Sequence, residues 1–193
     1  IECLHFLQKY LSDSNRTYGG WNYNYDLHMM AFDRIPMAPN IEDAMLALHL
    51  INENEPNFKL KDVSDRYGIG DGSLQESILE DKVFEECQRL GFECSRSKNA
   101  ANNTKSMMYV LHPKDVEPYA CDDVRLTRQL LDLLKPALKQ SGLYELWKQV
   151  NYYSYIICKM EHVGMHIDPD IINRYQNEAV EKLADAQRRL NEA

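Results

Sequence analysis

Several things are missing from this sequence, and each absence removes a class of function. No apolar run approaches the length needed to span a bilayer. The first residues, Ile1-Glu2-Cys3-Leu4, carry neither an initiator Met nor the basic-then-apolar pattern of a signal peptide. The start at Ile1 leads us to expect a segment of a longer chain. No Cys-x-x-Cys occurs, and the five Cys are odd in number and scattered. Free thiols in a reducing, cytoplasmic compartment fit this better than a disulfide frame or a zinc site. There is no Gly-rich phosphate loop, no Ser/His/Asp set and no internal repeat. Positive charge is also in short supply, with 22 Lys and Arg against 30 Asp and Glu, a net charge of -8. Taken alone, that argues against a nucleic-acid-binding surface, while a site that holds cations with carboxylates is not excluded.

What is present is a helical pattern in 193 residues, 44% of them hydrophobic, enough for one domain or one and a part. Leu4, Leu7 and Leu11 share a helical face. Arg16–Trp21 reads as a short strand that turns into a helix over 22–32. Asn40 is placed to cap a helix over 41–52, and Leu60–Tyr67 is a short helix closed by Gly68. Asp71-Gly72 is a turn, 81–90 a helix stopped by Gly91, and 95–106 a polar surface loop made mildly basic by Arg96, Lys98 and Lys105. A helix is expected from Pro118 to about Leu134, with Pro136 beyond it. Tyr144–Val163 carries Leu146, Val150, Tyr153, Ile157 and Met160 at helical spacing and ends at Gly164. Asp168-Pro169 opens a last helix with an apolar stripe from Ile172 to Leu190. The boundary between short, turn-rich elements and long helices falls near 136–144.

Two acidic motifs stand out. In Tyr119-Ala120-Cys121-Asp122-Asp123, a stripe through Ala120, Val124, Thr127, Leu131 and Leu134 puts Asp123 about 40° from its centre and turns Asp122 toward solvent. A carboxylate at an interior edge requires a donor, a cation or a metal. No Lys or Arg lies three or four residues from Asp123, which leaves a metal or a partner distant in sequence. In Asn22-Tyr23-Asn24-Tyr25-Asp26, at a strand-to-helix junction, Asn22 and Asp26 share a face. Taken alone, Asn22 reads first as a helix cap and Asp26 as a first-turn acid favoured by the helix dipole. Trp21 is placed either to stack a base or to fill the core.

Together, Asn-x-x-x-Asp followed by Tyr-Ala-x-Asp-Asp resembles the second and third 3′→5′ exonuclease motifs of phage-like family A DNA polymerases. Ile41–Ala47 looks like the helix after the second motif, Leu60–Tyr67 like the next one, and Met160–Asp168 like the passage into the polymerase region. The match follows the family's order along nearly the whole chain and is weakest over 73–106. The resemblance implies an α/β, ribonuclease H-like exonuclease fold lacking its N-terminal part, so that the remainder is mainly α. Residues 1–140 would be the C-terminal portion of the exonuclease domain and 141–193 the start of the polymerase domain. It implies two Mg²⁺ (or Mn²⁺) held by Asp26 and Asp123, Tyr119 orienting the attacking water, and Asn22 and Arg66 contacting DNA, as a single-stranded 3′ end or primer-template. The remainder of the polymerase chain would be the other partner.

The family's first motif, Asp-x-Glu, is absent before Asn22. Asp115-Val116-Glu117 has its letters but lies in a proline-bounded stretch beside Tyr119, and short motifs recur by chance. This chain by itself is therefore expected to lack exonuclease activity. Two alternatives remain: a non-catalytic exonuclease scaffold beneath a polymerase, and an RNase D-type exoribonuclease. Gly164–Asp168 and the long helix after it speak against the second.

Overall fold

The computed structural model describes residues 2–36, 40–70, 74–97 and 99–192, and shows a predominantly helical chain with one small parallel sheet. The expected turn at Asp71-Gly72 and the loop residue Lys98 lie outside the described residues. The chain forms two compact units, 1–158 and 159–193. None of the helices among the described residues is long and apolar enough to cross a membrane.

The first unit begins with α1 (Glu2–Leu11) and β1 (Tyr18–Gly20), which leads into α2 (Tyr23–Phe32). Strand β2 (Ile41–Asp43) then pairs parallel to β1, with Tyr18 opposite Ile41 and Gly20 opposite Asp43. The sequence reads 41–52 as one helix capped by Asn40. Instead the first three residues extend the sheet, and α3 (Ala44–Ile51) is capped by Asp43, whose carboxylate accepts from the amides of Met45 and Leu46. Asn40 is turned away from α3, its amide donating to Ser14 O. The β-branched Ile41 next to the extended β1 favours strand here, and helix starts only where a short acid can cap it.

Asp43 also caps α2. Its two carboxylate oxygens accept from Asn22 N at 3.1 Å and Tyr23 N at 2.7 Å. Asn22 itself adopts a left-handed conformation (φ 55°, ψ 49°) and its side chain caps nothing. Between the junctions Gly20 is required by space: a Cβ there would lie 2.1 Å from Cδ2 of the buried Tyr23 ring.

Helices α4 (Leu60–Arg66) and α5 (Leu74–Leu90) follow; α5 starts earlier than the expected Asp81. After a short 3-10 turn at Met108–Val110 comes α6 (Pro113–Gln140). It begins before Pro118, because His112 caps it by accepting from Lys114 N and Pro113 suits the first helical position. Pro118 and Pro136 lie inside it rather than at its limits. Helix α7 (Tyr144–Val163) has the expected bounds.

Among the described residues, three apolar clusters hold this unit. One joins α1, β1, α2 and β2 to Tyr155 and Cys158 of α7. The second sets Ala44, Ala47 and Leu48 of α3 and Val63 of α4 against Leu130, Leu131, Leu134 and Leu138 of α6 and Trp147 of α7. The third packs Leu79, Val83 and Cys87 of α5 on Met107, with Val116 and Tyr119 of α6 at its margin. The buried stripe of α6 is thus Leu126, Thr127, Leu130, Leu131, Leu134 and Leu138. The expected stripe was rotated: Val124 is 71% exposed and Ala120 is exposed.

The buried face of α7 also differs from its apolar spacing. Trp147, Asn151, Tyr155 and Cys158 are buried, while Leu146, Tyr153, Ile157 and Met160 are exposed. A closed set of bonds fixes this face. Trp147 Nε1 donates to Asp43 O, Asp43 N donates to Asn151 Oδ1, and Asn151 Nδ2 donates to Trp147 O, each at 3.0 Å. The sequence boundary near 136–144 corresponds to the α6–α7 turn, which lies within the first unit.

The second unit holds the last turn of α7, a link beginning at Gly164 (φ +68°) and α8 (Pro169–Glu192). Asp168 caps α8 by accepting from the amides of Asp170 and Ile171. No residue of α8 is buried, and Ile172, Tyr175, Leu183 and Leu190 stand exposed along its stripe.

Candidate active site

Tyr119 and Asp123 sit one turn apart near the N-terminal end of α6 and line the same cleft, of about 390 Å³. Its other walls come from Lys59–Asp62 at the start of α4, Glu76 and Glu80 on α5, and Asn103–Lys105 of the loop after α5. The Tyr119 phenol stands beside the Asp123 carboxylate on that cleft. Burial, then the negative charges of Asp123, Glu76 and Glu80, push the phenol well above its usual range, so it keeps its proton as a donor.

The partner of Asp123 that is distant in sequence is Lys61. Its Nζ lies 2.5 Å from Asp123 Oδ1 and 3.2 Å from Asp122 Oδ2, and 5.0 Å from the centre of the Tyr119 ring. Asp123 Oδ1 is buried and makes no directed hydrogen bond, so the contact with Lys61 is an ion pair without hydrogen-bond alignment.

Asp122 is not the solvated charge that the sequence predicts. Its side chain is 11% exposed against 32% for Asp123. The physical reason is the rotated stripe: Asp122 and Asp123 stand one turn before the buried Leu126 and Thr127 and so both face the body of the protein. Burial opposes ionisation of Asp122, but the hydrogen bonds from Arg125 and Lys61 prevail and hold its carboxyl below the usual range.

The other motif has different surroundings. Asp26 lies half-buried on the first turn of α2. Burial, and then the charge of Asp43, raise its carboxyl above the usual range. Burial also raises Asp43, against the pull of its four amide donors, and lifts the Tyr23 phenol to about 12, helped by the charge of Asp26. Asp26 is not among the residues lining the Tyr119–Asp123 cleft. The structure therefore brings Tyr119 and Asp123 together and groups Asp26 with Asp43 and Tyr23.

Asn22 is exposed on the left-handed turn before α2. Arg66 uses its donors within the protein, Nε to Glu55 Oε2 and Nη2 to Asn57 O. Trp21 takes its core alternative, half-buried on the second cluster with Nε1 donating to Phe58 O. Asp115 pairs with Lys82 in the first turn of α6.

The Asp123 side of the donor set fits a hard divalent cation. It offers a buried carboxylate oxygen paired with the Lys61 ammonium, with the carboxylates of Glu76, itself paired with Lys105, and Glu80 on the same cleft. Compared with known proteins, the chain matches no family model and no curated sequence.

Sequence reasoning overlooked Lys61, Glu76, Glu80 and Asp43. Glu76 and Glu80 are spaced i, i+4 beside the Leu79–Val83–Cys87 stripe, and were legible once α5 is started at Leu74. Asp43 stands immediately before Ala44-Met45-Leu46, an N-cap signal hidden by the more obvious Asn40. Lys61 has no local signature; only the approach of α4 to α6 gives it two aspartates.

Proposed function

We propose that this chain is part of a family A-like DNA polymerase and carries the back half of its ribonuclease H-like 3′→5′ proofreading exonuclease, with the first helices of the polymerase region after it. The observation that carries this reading is the joining of Tyr119 and Asp123 at one cleft, with Asp123 Oδ1 buried and without a hydrogen bond. The reaction would be hydrolysis of the terminal phosphodiester at a DNA 3′ end.

Asp123 would hold a divalent cation; Asp26, the second ligand that the resemblance implies, is not among the residues lining its cleft. Divalent cations bound there would supply a hydroxide near neutral pH and neutralise charge on the departing 3′ oxygen. The protonated Tyr119 hydroxyl would orient the attacking water. Lys59 and Lys105 on the cleft walls would meet the phosphate backbone and offset the acids around them. The small sheet, with parallel neighbours joined through α2, is compatible with the edge of a larger ribonuclease H-like sheet.

The test uses a polymerase that contains this segment together with an upstream Asp-x-Glu. Asp123→Ala is expected to reduce 3′ trimming of a mispaired primer by a factor of ~10³ or more while primer extension stays near wild type. Equal loss of both activities in a folded protein would show that Asp123 is not an exonuclease ligand.

The second reading is a non-catalytic scaffold beneath a polymerase, favoured by the ion pair between Lys61 and Asp123, which gives the carboxylate a cation of the protein's own. In that case Asp123→Ala leaves trimming unchanged because there is none to lose.

A further inference from the structure

Lys61 is nearly buried, at 9% exposure, and its ammonium faces two carboxylates of unequal standing. Asp122 has a second cation: Arg125 Nη2 lies 2.6 Å from its Oδ1 and Nε 3.1 Å from the same oxygen. Asp123 has Lys61, with the Tyr119 phenol beside it. The ammonium therefore rests at an Asp123 oxygen that is buried and lacks a directed hydrogen bond.

That resting place has a cost for metal binding. A magnesium-sized ion approaches a carboxylate oxygen to about 2.0–2.1 Å and brings two positive charges. It cannot share Oδ1 with an ammonium 2.5 Å away, on grounds of both space and repulsion. Lys61 has somewhere to go, because Asp122 Oδ2 is already 3.2 Å from Nζ. The four-carbon stem allows the ammonium to shift between neighbouring oxygens while α4 stays in place.

We propose that Lys61 is a resident counter-ion that occupies the divalent-cation position at Asp123, and that Asp122 receives its ammonium when the ion binds. The inference rests on the metal-dependent reading of the cleft and adds a competition within the protein's own residues. Lys61, with Arg125 on Asp122, balances the two aspartates in the ion-free state and makes the cleft a weak site that fills only at high cation concentration. Asp122 is in this scheme a positioning residue that touches no metal.

Mn²⁺ binding to the 193-residue protein, followed by the loss of the free-ion electron paramagnetic resonance signal, tests this without any activity assay. Lys61→Met is expected to bind Mn²⁺ about tenfold more tightly than wild type, or to bind it where wild type does not. Lys61→Arg keeps the cation and stays weak. Adding Asp123→Asn to Lys61→Met should abolish the gain.

The proposal is overturned if Lys61→Met binds no better than wild type, if neither protein binds Mn²⁺, or if the gain survives Asp123→Asn. Should Lys61→Met fail to fold, Asp122→Asn carries the test. With no carboxylate to receive the ammonium, Mn²⁺ affinity should fall severalfold, and unchanged affinity overturns the scheme. Its failure is separable from failure of the exonuclease reading. Trimming that depends on Asp123, with Mn²⁺ affinity indifferent to Lys61, removes only the counter-ion. Mn²⁺ affinity governed by Lys61, with no trimming to lose, removes only the exonuclease.

Discussion

At the scale of single residues, Asp26 and Asp43 show how burial stores instability around an acidic motif. Both carboxyls are raised above the ordinary aspartate range, Asp26 by burial and then by Asp43. Below that range both the folded and the unfolded chain hold the proton, and no penalty exists. As pH rises toward the folded value, the unfolded chain ionises first and stability falls. Asp26→Asn removes this penalty. Its thermal midpoint is expected to exceed wild type at neutral pH in metal-free buffer and to match it at about pH 3, as read by circular dichroism across a pH series. A midpoint below wild type at neutral pH would contradict the assignment. Asp43 behaves differently, because its burial is offset by four amide donors at two helix starts. Asp43→Ala strips the caps from α2 and α3 together and is expected to cost about 2–4 kcal/mol in urea unfolding.

At the scale of elements, α6 decides the site. Its buried stripe runs through Leu126, Leu130, Leu134 and Leu138, and one turn earlier the same side carries Asp122 and Asp123, with Tyr119 before them. A rotation of one residue would send Asp122 into solvent, as the sequence predicts. The orientation is checked by two truncations on this helix. Val124→Ala, at an exposed position, should change stability by less than about 0.5 kcal/mol, and Leu130→Ala should cost about 2–5 kcal/mol. The reverse order would mean that the helix is turned the other way and that Asp123 is not aimed into the cleft. In α7 the apolar pattern misleads for a related reason. Asn151 is buried because its amide completes the bonds between Asp43 and Trp147, and a polar residue inside a helix face carries no hydrophobic signal.

At the scale of the whole molecule, the three apolar clusters draw only on residues from Leu11 to Cys158 with their margins, whereas α8 buries nothing. A chain ending at Val163 is therefore expected to unfold in one cooperative transition and to keep the near-ultraviolet signal of the buried Trp147. A broad, non-cooperative melt would show that the first unit needs the second. Ile172, Tyr175, Leu183 and Leu190 stand exposed along α8.

The sequence by itself determined the elements whose signals are local. Gly68, Gly91 and Gly164, all at positive φ, close helices where the spacing says they do, and Asp168-Pro169 opens α8. The pairing of Tyr119 with Asp123 was legible too, because four residues make one helical turn. Tertiary structure decided everything that depends on which face is covered. It turned 41–43 into a strand beside β1, made Asp43 rather than Asn40 the cap, rotated the faces of α6 and α7, and supplied Lys61 to Asp122 and Asp123 from a helix some sixty positions away. Periodicity records where apolar side chains recur along one helix. The angle at which a neighbouring helix covers that stripe, and the charge it delivers there, are set by contacts that no local window contains.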